Sequence, residues 1–127
     1  VEDEFGSRKL LQKFLSPYGV CDMAVDGAEA VEAFSLALRE KEPYDLICLD
    51  IMLPKMDGQE VLKEVRKMEK ENGIHGLDGV KVIMTTALDD SKNILEAFKS
   101  QCESYITKPI AKQKLLDEMK GLGLLDR

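Results

Sequence analysis

A chain of 127 residues has room for one domain with one core. Its 44% hydrophobic and 33% charged residues are those of a folded soluble protein, not of a disordered or fibrous one. The net charge of −6 argues against nucleic acid or an anionic membrane as the main partner, because both favour a basic surface, and points to a basic protein partner instead.

Val1 and the acidic Glu2-Asp3-Glu4 read as the end of a first strand. A central strand has about five residues, so the sequence is expected to begin inside it. Leu10, Leu11, Phe14 and Leu15 fall at helical spacing and predict the first helix. Val20 to Val25 reads as a second strand, followed by a helix carrying Val31, Phe34 and Leu38. Leu46 to Leu49 is a continuous apolar run, the third strand, and Val61, Leu62, Val65 and Met68 mark the third helix. The stretch from Asn72 to Gly79, with His75, is a loop. Val80 to Thr85 predicts a fourth strand and Ile94, Ala97 and Phe98 a fourth helix. Tyr105 to Thr107 predicts a fifth strand, and Leu115, Leu116, Met119 and Leu122 a fifth helix.

Alternating strands and helices imply a parallel sheet covered on both faces, since a parallel crossover needs a connection long enough to hold a helix. The runs from 46 to 49 and from 82 to 84 are apolar throughout, as doubly buried strands are, whereas 20 to 25 and 104 to 107 carry polar residues and suit edges. The expected fold is therefore α/β and flavodoxin-like, a doubly wound five-stranded parallel sheet of order 2-1-3-4-5 with five helices. Cys21, Cys48 and Cys102 are odd in number and lack metal-ligand spacing, so they read as reduced thiols of a cytoplasmic protein. Neither a signal peptide nor a transmembrane segment is expected.

In the stretch YDLICLDIMLPKMDG, Asp50 directly follows four apolar residues. As the end of the third strand it lies on the carboxyl edge of the sheet, where doubly wound folds bind ligands. Glu2 and Asp3 end the first strand, Thr85 and Thr86 the fourth, and Lys108 the fifth, all on that rim. Carboxylates about 4 Å apart repel by roughly 4 kcal/mol at an effective dielectric near 20, so positive charge belongs between them. Lys108 supplies one, and oxygen ligands suit a hard divalent cation such as Mg²⁺. A metal, a lysine and a threonine hydroxyl around a carboxylate point to phosphoryl transfer onto Asp50.

At this point the chain resembles the receiver domains of two-component response regulators over essentially its whole length, 1–127. The resemblance rests on Glu2-Asp3, on Asp50 followed by MLPKMDG, on Thr86-Ala87 after an apolar strand, and on Lys108-Pro109. It implies that Asp50 accepts a phosphoryl group from a phosphohistidine on a sensor histidine kinase or a histidine phosphotransfer protein. Asp3 and Asp50 would ligate Mg²⁺ by their side chains, Met52 by its backbone carbonyl, and Glu2 through a bound water. Thr86 and Lys108 would hold phosphoryl oxygens, Thr86 and Tyr105 would form the switch, and the Lys108-Pro109 peptide would be cis. Met52 and Leu88 match positions that vary among receivers and set the lifetime of the phosphorylated state. An unknown output protein would read the surface of helix four, strand five and helix five, around Lys92, Glu96, Lys99, Lys112 and Lys114.

Plainer readings stand beside these. Acidic residues at strand ends are usually solvated loop charges, and Thr85 reads as a strand residue with no further role. Asp57 before Gly58 is a helix cap, Tyr105 fits a half-buried edge aromatic equally well, and His75 is a solvated loop residue. A haloacid-dehalogenase-like phosphatase would need a second aspartate two residues after the first, where this chain has Met52. A flavodoxin-like cofactor binder would need a small-residue phosphate loop where Glu2, Asp3 and Glu4 stand. The expected function is a phosphorylation-dependent signalling switch and not a conventional enzyme.

Overall fold

In the computed structural model, which describes residues 1–75, 78–87 and 91–125, five helices surround a three-stranded parallel sheet. The elements are α1 (Phe5–Leu15) with a 3-10 turn at Ser16–Tyr18, α2 (Gly27–Arg39), β1 (Leu46–Asp50) and α3 (Gly58–Glu71). Then come β2 (Lys81–Ala87), α4 (Ser91–Lys99), β3 (Ser104–Lys108) and α5 (Lys112–Gly121). The strands lie in the order β1-β2-β3, corresponding to the third, fourth and fifth strands expected from the sequence.

Residues 20–25, expected as a strand, form none. Val20 is 95% exposed, and this run meets the residues beside it through a single ladder-like bond, Glu2 N–H to the Ala24 carbonyl at 3.0 Å. Val1 lies against β1 on its other side: its nitrogen donates to the Cys48 carbonyl at 2.6 Å, and Asp50 N–H donates to the Val1 carbonyl at 3.1 Å. Residues 20–24 thus carry no assigned secondary structure, and the pairing at this edge of the sheet is limited to Val1 and Glu2 among the described residues.

Strand alternation divides the core. Leu49, Val82 and Met84 face Phe34 of α2, Val61, Leu62 and Val65 of α3 and Ala97 of α4. Cys48, Ile83 and Ile106 face Leu11 of α1 and Leu115, Leu116 and Met119 of α5. Leu49, Leu62, Ile83 and Leu115 are fully buried, each contributing about 1.5–3 kcal/mol of apolar transfer.

Helix starts follow from side-chain caps. Glu4 accepts the Ser7 N–H, Asp26 the Glu29 N–H at 2.8 Å, and Asp57 the Glu60 N–H at 3.0 Å, each replacing a helical bond that the first turn cannot make. Glu29 reaches back to the Val25 N–H at 3.2 Å, one residue before the N-cap of α2.

Candidate functional site

Because the strands are parallel, Asp50 at the end of β1 and Lys108 at the end of β3 share one rim with the last residues of β2. The Lys108 ammonium lies 2.5 Å from Glu2 Oε1 and 2.7 Å from Asp50 Oδ2. Asp50 Oδ1 accepts the Met52 N–H at 3.0 Å, and Glu2 Oε2 accepts the Glu4 N–H at 3.0 Å. Burial pulls the Lys108 ammonium down, but its bonds to Asp50 and Glu2 outweigh this and hold its pKa above the ordinary lysine value.

Glu2 and Asp50 are buried, whereas Asp3 is exposed. One carboxylate oxygen from each of the three lies within 4.8 Å of the others. An all-oxygen, all-anionic donor set fits a hard divalent cation and offers nothing to a thiolate- or imidazole-seeking metal. The single ammonium leaves the cluster short of positive charge, so the residues present fit Mg²⁺.

The loop after β1 is held close to the sheet. Ile51 N–H donates to the Thr85 carbonyl at 3.0 Å and Gly58 N–H to the Ile51 carbonyl at 2.9 Å. A Cβ on Gly58 would stand 2.2 Å from the Asp50 carbonyl oxygen, so only glycine lets α3 begin there. A Cβ on Gly27 would meet the Met56 carbonyl oxygen at 1.9 Å, which packs the start of α2 directly on the same loop. Lys55, with φ of 66°, reaches Asp26 at 3.4 Å and adds a partly exposed ion pair.

The structure thus gathers Glu2, Asp3, Asp50 and Lys108 at one place. Thr86 ends up buried on β2, and the side chain of Met52 stands exposed beside Asp50. The ring of Tyr105 lies partly exposed on the outside of β3, edge-on to Phe98 with centroids 6.0 Å apart. The Lys108-Pro109 peptide is cis. Leu88 lies outside the described residues.

Sequence reasoning missed two features. Glu2, not the neighbouring Asp3, is the buried partner of Lys108, and strand-end position alone carries no signal for that difference. Thr85 holds a buried hydroxyl with no partner among the described residues; its register beside Asp50 could be read only once the strands were paired.

Known proteins place this geometry. The family model of the response regulator receiver domain matches residues 1–120. The chain is 31% identical to the chemotaxis protein CheY of Halobacterium salinarum over 96% of this chain and 92% of that one. It is 33% identical to a probable transcriptional regulator, ycf29, of Porphyra purpurea over 96% of its length but 54% of the relative's. The chain thus spans about half the length of that relative and of the VanRB regulator of Enterococcus faecalis. Among solved structures, it superposes with a TM-score of 0.80 and 28% identity, over 96% of this chain and 84% of that one, on a co-crystal of the Saccharomyces cerevisiae phosphotransfer protein Ypd1 and the receiver domain of Ssk1. The family model and these relatives cover nearly the whole chain, and the chain belongs to the response regulator receiver domain family.

Proposed function

We propose that this receiver domain, spanning residues 1–127, is a phosphorylation-controlled switch in which Asp50 takes a phosphoryl group from a phosphohistidine. The observation that carries this reading is the Lys108 ammonium held between Asp50 and Glu2, with Asp3 within ligand distance of both. One Asp50 oxygen attacks the phosphorus, the donor's P–N bond breaks, and its electron pair stays on the imidazole. Lys108 follows the charge onto the phosphoryl oxygens, joined by the Thr86 hydroxyl. Asp3 and Asp50 by side chain, Met52 by its carbonyl and Glu2 through water would hold Mg²⁺, which supplies charge neutralisation at the phosphoryl oxygens.

Movement of Thr86 toward the phosphoryl group opens space that Tyr105 enters, altering the surface of α4, β3 and α5 that an output protein reads. Lys92, Glu96, Lys99, Lys112 and Lys114 are all exposed, as this output face requires. The donor is a sensor histidine kinase or a histidine phosphotransfer protein. The domain is a phosphoacceptor and does not turn over a separate substrate. A cytoplasmic setting agrees with the three free thiols, and no described helix is long and apolar enough to cross a membrane. Within the family fold we assign Val1 and Glu2 to the first-strand position of a 2-1-3-4-5 order, because they bridge residue 24 and β1.

The test is labelling by acetyl phosphate or a phosphorylated kinase. Wild type should label in Mg²⁺ and lose labelling in EDTA, and Asp50→Asn should not label. Full labelling of Asp50→Asn, or of wild type in EDTA, would overturn the assignment.

A further inference from the structure

Thr85 is 1% exposed, and its hydroxyl finds no hydrogen-bond partner among the described residues. A buried hydroxyl without a partner weakens a fold, and valine would fill the same space without that cost. The threonine oxygen therefore has no account in the packing. Its position supplies one. Thr85 is the register partner of Asp50 on one side and of Ile106 on the other. Paired residues of adjacent strands point to the same face, about 4.8 Å apart. That face is the one on which Cys48, Ile83 and Ile106 pack, and alternation carries it on to Asp50, Thr85 and Lys108. Thr85 thus shares a face with Asp50 directly beside it and Lys108 diagonally across.

At rest Asp50 needs nothing more: Oδ1 has the Met52 N–H and Oδ2 has Lys108. Phosphoryl transfer changes this. When Lys108 follows the charge onto the phosphoryl group, the buried Asp50 loses its only side-chain donor among the described residues, while the neighbouring strand holds a buried, idle donor. We propose that Thr85 is a positioning residue whose hydroxyl takes over the hydrogen bond to Asp50 that Lys108 gives up during transfer. This rests on the phosphoacceptor reading above and deepens it: the strand beside Asp50 carries a replacement donor, set in place before the reaction.

The test uses Thr85→Val, Thr85→Ser and Thr85→Ala, with Asp50→Asn as the control, measuring the rate of labelling by acetyl phosphate in Mg²⁺ and the thermal midpoint. Thr85→Val should keep or raise the midpoint yet label about three- to tenfold more slowly, the loss of one hydrogen bond in the transition state. Thr85→Ser, which retains the hydroxyl, should label within about twofold of wild type. A purely structural threonine would move the midpoint and leave the rate alone. Equal labelling rates for valine and wild type would overturn the inference. Should the valine variant not fold, serine and alanine differ only by the hydroxyl, and equal rates for those two overturn it as well. Failure of wild type to label, or labelling of Asp50→Asn, would instead remove the phosphoacceptor reading.

Discussion

Met52 donates its backbone N–H to Asp50 at 3.0 Å while its thioether side chain stands 68% exposed over the same rim. Hydrolysis of an aspartyl phosphate needs a water in line with the breaking P–O bond, and a thioether gives that water no strong hydrogen bond. Met52→Asn should therefore shorten the life of phosphorylated Asp50 about tenfold, the effect of one orienting contact of about 1–2 kcal/mol. Loss of phosphate after donor removal, followed in Mg²⁺ buffer, checks this; an unchanged half-life would show that the side chain does not control water. At this scale much of the site was legible in the sequence. Asp50 stood out because an apolar run ends in a carboxylate, and Lys108 because it follows a strand and precedes Pro109. Thr85 did not, since a β-branched residue in a strand needs no explanation until its hydroxyl is known to be unpaired.

Arg66 on α3 gathers the opposite end of the sheet. Its guanidinium donates to Glu69 at 2.8 Å, to Glu103 at 2.9 Å, to the Val80 carbonyl at 2.8 Å and to the Gln101 carbonyl at 2.7 Å. The two carboxylates in turn accept from Val80 N–H at 2.6 Å and Val82 N–H at 2.7 Å. Arg66→Met would leave Glu69 buried without its counter-charge, and should lower unfolding stability by about 3 kcal/mol. Chemical denaturation measures this; a loss below about 1 kcal/mol would mean that the pair acts as an exposed one. The labelling rate of Asp50 should change little in the folded variant. The helices were legible through their 3.6-residue spacing, but this network was not, because Arg66 and Glu103 are 37 residues apart and each alone resembles a solvated charge. Alternation reports what a segment could do: residues 20–25 read as a strand, yet the structure gives them no assigned ladder beyond the Glu2–Ala24 bond.

For the molecule as a whole, alkaline pH should be destabilising through its buried thiols. Burial, with help from the Glu103 charge, pushes Cys102 from the ordinary 9.0 up to about 11. A pKa raised by folding means that the native state binds more protons between those values, so stability is full below pH 9 and declines as pH rises toward 11. Cys102→Ala should flatten the part of the stability–pH curve between pH 9 and 11, measured by denaturant titration at each pH; the same slope in the variant would assign the loss to other groups. The sheet order of the central strands, the two-faced core and the rim were all readable from the alternation of elements. The choice of Glu2 over Asp3 for Lys108 was not, because it depends on which carboxylate is covered.

The contact between Tyr105 and Phe98 has an optical meaning too. The chain has no tryptophan, so its absorption near 280 nm rests on Tyr18, Tyr44 and Tyr105. Tyr44 is tied to Asp22 at 2.7 Å and Tyr18 lies exposed on the surface. Among the described residues only Tyr105 of the three meets another ring, at an interplanar angle of 82°, and it sits on the strand that ends in Lys108. Its chiral surroundings are thus set by the same strand that carries the site, and near-ultraviolet circular dichroism of the unlabelled protein reads that ring as a built-in chromophore.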